Sequence, residues 1–376
     1  MTRSGLALRL GRIREQQKNK GTPDKLTAQV QQISPVGSDT ADAPVSLPSW
    51  KTTGILIHER TTRIPFPEFR EGFSEYFPLL FPRERESLSQ LISSRDSINS
   101  FVFFDLETTG LSHGAGTVAF MAGIARIVFS GRGANKKANL DVHQLLLDDY
   151  PGEIAFLNRF SELIGDNPVF VSFNGKSFDS QILYTRYLMN GLQPSFLKQS
   201  LLHLDLLYPT RRIWKAKLGS CKLSIIEEMV LSTKRIDDLP GSEAPDAWFD
   251  FIRKGEQGRL LAIGDHNRDD CISLARLLFS LDDSIEKGTE RASLIRAFDL
   301  RSRAEYAESR AFLEPLAAQG DRLALRLLAI DTEHRIDDLE RALDCARELG
   351  DEKRIIRLEK KIAYRNIATS QGNLDE

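Results

Sequence analysis

The chain is predicted to be an α/β protein whose mixed sheet is covered by helices. Three observations carry that expectation. Short apolar runs of strand length open the segment 99–281, amphipathic stretches of helical period follow and alternate with one more such run, and almost no strand signal remains after about residue 290. SFVFFD reads as a buried strand, TVAFMAGIARIVF as a second and DVHQLLLDDY as a third. PGEIAFLNRFSELIG then has helical spacing, with Pro151 suited to a first turn. PVFVSF is another buried strand, and SFDSQILYTRYLMNG a helix closed by Gly191. The early strands can pair as hairpins, whereas the fourth needs a crossover helix. Further helices are expected at about 223–231, 244–254 and 258–281.

The flanks differ in character. Residues 1–20 carry six Lys/Arg against one Glu, and 21–50 drift through Thr, Gln, Ser, Pro and Asp, so 1–50 is expected to be a disordered basic and polar tail. Aromatic clusters in 51–97 (FPEFREGFSEYFPLLF) suggest a segment docked on the next domain. From 290 to 370, Ala, Leu, Arg and Glu recur at helical spacing. Two helix–Gly-Asp–helix junctions, Gly320-Asp321 and Gly350-Asp351, stand 30 residues apart, near the period of helix-pair solenoids.

Composition excludes several classes. The 376 residues hold 51 Lys/Arg and 53 Asp/Glu, a net charge of −2, so no global field draws the chain to a polyanion and any such partner must be held by local patches. No apolar run is long enough to span a bilayer. Three cysteines stand far apart, without zinc spacing, which fits a reduced, cytoplasmic protein. G-x-S-x-G, Walker A and H-E-x-x-H strings do not occur.

The chemistry collects in three places. In FVFFDLETTG, Asp105 and Glu107 are two apart on a strand and leave one face, about 7 Å apart at the backbone. Carboxylates beside Val and Phe are costly unless a cation lies between them, although a strand end reaching solvent would also serve. In FNGKSFD, Asn174 and Gly175 turn the chain and Asp179 falls in the first turns of a helix, a favourable place for any acid. In GDHNRDDCISLARLL, His266 and Asp270 are four apart on one helix face, with Asp269 the competitor for the acidic role.

Together, these acids and the histidine come in an order that resembles the DEDD 3′–5′ exonucleases of the ribonuclease H-like superfamily. The finer match (HLDLLYPTRRIW, CKLSIIEEMV, DDLPGSEAPDAWFDF, HNRDD) is similar to the bacterial YprB-like ribonuclease H-like domain, whose members often carry a tetratricopeptide-like helical tail. The resemblance implies a five-stranded mixed sheet over 98–283 and a helical tail able to meet a protein partner. It also implies two divalent cations, Mg²⁺ or Mn²⁺, held by Asp105, Glu107, Asp179 and Asp270, with His266 as general base. The implied activity is two-metal hydrolysis of DNA or RNA phosphodiesters. One departure is visible: the family usually places His with four intervening residues before the last Asp, or Tyr with three, and this chain has His with three.

Substrate contacts are placed more loosely. Relatives hold the terminal nucleotide near the loop after D-x-E, so Thr108, Thr109 and Gly110 are candidates, an ordinary hairpin loop being the alternative. Asn174 and Lys176 lie beside the expected metals. In 206–226, Arg211, Arg212, Lys215, Lys217 and Lys222 with Trp214 suggest phosphate contacts and base stacking, or a solvated basic loop with a core-anchoring Trp. His203 and Asp205 read as strand-end caps or as supports for the metals. Two other readings stay open: a catalytically silent scaffold binding nucleic acid or protein, and a structure-selective endonuclease.

Overall fold

The computed structural model describes residues 47–372, apart from 55, 94–96, 111–115, 132–135, 195, 197–200, 236–238 and 290. The expected tail thus lies almost wholly outside the described residues. The described residues form one compact unit.

Its centre is a sheet of seven strands among the described residues: β1 (Lys51–Gly54), β2 (Ile57–Pro65), β3 (Phe101–Thr108), β4 (Ala119–Ser130), β5 (Lys137–Leu147), β6 (Val169–Ser172) and β7 (Leu202–Asp205). They lie in the order β1-β2-β5-β4-β3-β6-β7. β3 pairs antiparallel with β4 and parallel with β6, which pairs parallel with β7. Five of these strands, β3 to β7, fall within 98–283, and β1 and β2 from the preceding segment extend the sheet to seven. The segment 51–97 does not merely dock: its β2 pairs along its whole length with β5, from Ile57 opposite Leu147 to Pro65 opposite Asn139. Polar cross-strand partners replace an apolar alternation there, Arg60 donating to Gln144 and Arg63 to Asp141.

The sheet buries both faces, which is why β3 reads as an unbroken apolar run. Phe101 and Phe103 face one layer, packed with Leu274, Leu277 and Leu278 of the 30-residue helix α7 (Gly258–Lys287). Val102, Phe104 and Leu106 face the other, with Phe156 and Phe160 of α2 (Glu153–Ile164), Leu183 of α3 (Asp179–Met189) and Trp248 of α6 (Ala244–Lys254). The remaining helices before α7 are α1 (Arg85–Ile92), α4 (Leu207–Leu218) and α5 (Leu223–Met229).

Among the described residues, five α-helices follow: α8 (Ala292–Ser302), α9 (Tyr306–Ala318), α10 (Arg322–Asp331), α11 (Leu339–Leu349) and α12 (Glu352–Gly372). Both Gly-Asp junctions are helix boundaries. Gly320 and Gly350 take φ of 80° and 69°, and Asp321 accepts the backbone N–H groups of Leu323 and Ala324, capping α10. No helix among the described residues is long and apolar enough to cross a membrane. The three cysteines are buried and free.

Candidate active site

Strand β3 sends Asp105 and Glu107 toward α7, while Leu106 turns into the opposite layer. The β3–β4 register shifts between Glu107 and Thr108, a bulge that ends regular pairing beside the two acids. Asp179 begins α3. The chain reaches it through Asn174, whose φ of 68° makes the left-handed turn, and through buried Gly175. A Cβ on Gly175 would lie 2.6 Å from Ser172 Oγ and 2.7 Å from Asp179 Oδ2. Gly175→Ala is accordingly expected to push Asp179 out of place. It should destabilise the protein by about 1–3 kcal/mol, read as a lowered urea midpoint, with a fall in any Asp179-dependent activity.

Asp205, at the end of β7, braces the same turn. Its carboxylate accepts from the backbone N–H of Asn174 at 2.8 Å, Lys176 at 3.3 Å and Leu207 at 3.1 Å. His203 supports it from behind, with Nε2 on Ser172 Oγ and Nδ1 on Ser180 Oγ. Burial, helped by Lys176, drops this imidazole to about 3, so it stays neutral.

Electrostatics show how close the acids come. Burial pushes Asp105 well above the usual carboxylate range, and the charges of Asp270, Glu107 and Asp179 push it further. Asp179 rises to about 7 through burial and the charges of Asp205 and Asp270. The charges of acids on β3, α3 and α7 thus all act on Asp105. Asp270, not Asp269, is the α7 acid that acts on Asp105; Asp269 pairs with Arg268 at 2.8 Å instead. Among the described residues, no three His, Cys, Asp or Glu side chains form a group that could hold one ion.

A guanidinium occupies one of these acids. Arg235 bridges Asp270 and Glu227 and places Nη1 2.9 Å from His266 Nδ1. Because arginine only donates, Nδ1 must accept, which puts the proton of a neutral imidazole on Nε2, 3.6 Å from Asp270. In this arrangement His266 is a partner of Arg235 and Asp270 and offers no lone pair to a water. A base role requires Arg235 to withdraw.

Asn267 is a site residue that the sequence reading passed over. Fully buried, it donates Nδ2 to the Asp105 carboxylate at 3.0 Å and to its carbonyl at 3.2 Å, and accepts from Gln144 at 3.1 Å. Gln144 in turn accepts from Arg60. A buried polar line thus runs from β2 through β5 to Asp105. Within HNRDD, nothing local marks Asn267 as the inward residue. Gly123 on β4 makes the room, since a Cβ there would sit 2.5 Å from Asn267 Oδ1 and 2.6 Å from Cys271 Sγ.

The expected substrate contacts are placed unevenly. Thr108 Oγ1 donates to Gly110 O, and Thr109 Oγ1 accepts from Val118 N, so both hydroxyls close the loop base; residues 111–115 lie outside the described residues. Beside Gly110 the nearest atom to an added Cβ is 3.9 Å away, so packing does not demand the glycine. Asn174 is exposed. Lys176 differs from expectation: its ammonium pairs with Glu84 and donates to His203 O at 3.3 Å. Arg211 is exposed, and Arg212 donates to the carbonyls of Leu79 and Leu80.

Of the two readings of Trp214, burial favours core anchoring over base stacking. Residues Leu207–Leu218 form helix α4, not a loop, and its spacing turns Ile213 and Trp214 into the core while Arg211, Lys215 and Lys217 stay outside. At 5% exposure, the Trp214 ring cannot stack on a base. The exposed aromatic of this helix is Tyr208.

Residues 102–281 match the family model RNase_H_2, described as the RNase_H superfamily. The chain is 33% identical over 216 residues to "Uncharacterized protein YprB" of Bacillus subtilis (strain 168), an overlap covering 57% of this chain and 50% of that protein. It thus spans about half the length of the curated relative it matches. Among solved structures it is similar to the chain described under "The structure of exonuclease I suggests how processivity is achieved", at a TM-score of 0.29 and 17% identity, covering 50% of this chain and 43% of that one.

Proposed function

We propose that the ribonuclease H-like domain of this chain is a divalent-metal-dependent phosphodiesterase, a 3′→5′ exonuclease acting on DNA or RNA. The observation that carries this reading is the convergence of Asp105, Glu107, Asp179 and Asp270: burial and the charges of the other three raise the proton affinity of Asp105, and Asp270 acts on Asp179 as well. Carboxylates that repel in a buried site need a compensating charge, and an all-oxygen donor set suits Mg²⁺ or Mn²⁺. The residues therefore fit the cations in chemistry and number, although their present spacing calls for closure. When bound, such ions activate water as nucleophile and stabilise charge on the leaving oxygen.

The chain's own groups do the rest. Asp105 and Glu107 fix one side of the site through β3, held in register by Asn267. Asp179 closes the opposite side from a turn clamped by Asp205. His266, once Arg235 is drawn away, takes the proton of the attacking water. The loop base at Thr108, Thr109 and Gly110 lets backbone approach the terminal nucleotide, and Asn174 flanks it.

A second reading rests on Arg235. With this cation already on Asp270, the domain would be a silent scaffold for nucleic acid or protein. Substrates labelled at the 5′ or 3′ end, single-stranded and duplex, DNA and RNA, incubated with Mg²⁺, Mn²⁺ or EDTA, separate the readings. Metal-dependent release of mononucleotides from the 3′ end is expected. Internal cuts would make the protein an endonuclease. No cleavage by the purified protein with either metal would leave the scaffold.

A further inference from the structure

Beside the acid cluster lies a cleft of about 470 Å³ that no part of the reaction above uses. The chain segment after β2 forms one wall with Phe81 and Arg83; the β6–α3 turn forms another with Lys176 and Ser177; helix α4 supplies Tyr208 and Arg212. Its volume is in the range of ligand pockets.

Its lining is chemically specific. Tyr208 is 52% exposed, whereas Leu207, Ile213 and Trp214 of the same helix are buried. Among the described residues, neither Arg83 nor Arg212 pairs with a carboxylate; Arg212 is tethered to the Leu79 and Leu80 carbonyls and keeps its charge uncompensated. Lys176 is the exception, matched by Glu84. The cleft thus combines two uncompensated guanidinium groups with one exposed ring. It also joins the acid cluster directly: Asp205 lines it and acts on Asp179, and Ser177 stands two residues before Asp179.

We infer that this cleft is a single-strand subsite, in which Tyr208 stacks on an unpaired base while Arg83 and Arg212 hold the adjoining phosphates of a polynucleotide leading to the acid cluster. This deepens the nuclease reading and rests on it for the direction of the strand. A duplex keeps its base faces inside the stack, so an exposed ring flanked by cations selects the single strand. The aromatic expected from Trp214 is thereby supplied from the outer face of the same helix.

The test is equilibrium binding by fluorescence anisotropy with the full chain in EDTA, where no turnover occurs. The probes are oligothymidylate and oligouridylate of about 12 nucleotides, the corresponding duplex, and a polyglutamate peptide. Both single strands are expected to bind more tightly than the duplex or the peptide, and the two sugars report which polymer is preferred. Tyr208→Ala should weaken single-strand binding about tenfold, with Tyr208→Phe restoring it. Arg83→Gln should lower the slope of log affinity on log salt by about 0.7. Wild-type affinity and slope in both Tyr208→Ala and Arg83→Gln would overturn the subsite, as would equal binding of polyglutamate. Failure of the nuclease reading shows separately, as absent hydrolysis of thymidine 5′-p-nitrophenyl phosphate by wild-type protein with Mn²⁺, whatever the binding result.

Discussion

Asp105→Asn is expected to lower metal-dependent hydrolysis by about 10³-fold or more while making the metal-free protein more stable. The two effects share one cause. Asp105 is the acid that the other three act upon, and its carboxylate is buried against their charges. An amide keeps the shape and still accepts from Asn267 Nδ2 through its oxygen, so the polar line to Gln144 survives. What it loses is the negative charge that would bind a cation. If that charge contributes about 4 kcal/mol to the transition state, the rate falls by about three orders of magnitude. Without metal, the same change removes repulsion and a desolvation cost, worth about 1 kcal/mol or more. Rates on an end-labelled strand and urea midpoints in EDTA measure both. Retained activity, or a lower midpoint in EDTA, would contradict the central position given to Asp105.

The second large effect couples pH to metal. Asp179 stands at about 7 in the fold, against an ordinary value of 3.8. The folded chain therefore holds a proton that the unfolded chain has already released above about pH 4. The contribution of Asp179 to the stability of the metal-free protein is greatest below that point, falls as pH rises from about 4 to about 7, and is constant beyond; Asp105 acts in the same direction. The total loss should reach a few kcal/mol. Divalent cations compete with those protons, so their benefit must grow with pH. At saturation near 100 times the dissociation constant, a single site contributes about 2.7 kcal/mol, or about 5 °C in Tm for a domain of this size. Thermal unfolding with MnCl₂ against EDTA should show that gain at pH 8 and little of it at pH 5. A gain at pH 5 equal to that at pH 8 would mean that the ion does not replace these protons.

The parts of the site readable in advance are those whose signal is local. Asp105 and Glu107 follow from the two-residue period of a strand, and His266 with Asp270 from the four-residue neighbourhood on a helix. Asp179 follows from a turn that Asn174 and Gly175 announce. Other features depend on contacts made across long stretches of chain. Asn267 is inward only because Gly123, far earlier in the sequence, leaves space for it. Arg235 reaches Asp270 from a loop with no pattern of its own. Trp214 leaves base stacking and core anchoring both open in the sequence because its neighbours are basic, whereas helical spacing sends the ring inward and leaves Tyr208 outside. β2 escaped notice because it satisfies its sheet with Arg60–Gln144 and Arg63–Asp141 pairs instead of alternating apolar residues.

The claim on which the account turns is that these four carboxylates close around divalent cations and release Arg235 from Asp270. Crystals grown with Mn²⁺ and measured at its absorption edge would address it. The account predicts anomalous peaks in contact with Asp105, Glu107, Asp179 and Asp270, with the Arg235 guanidinium displaced and His266 Nδ1 open to solvent. A manganese-saturated crystal with no peak among those side chains, and Arg235 still seated on Asp270, would contradict it.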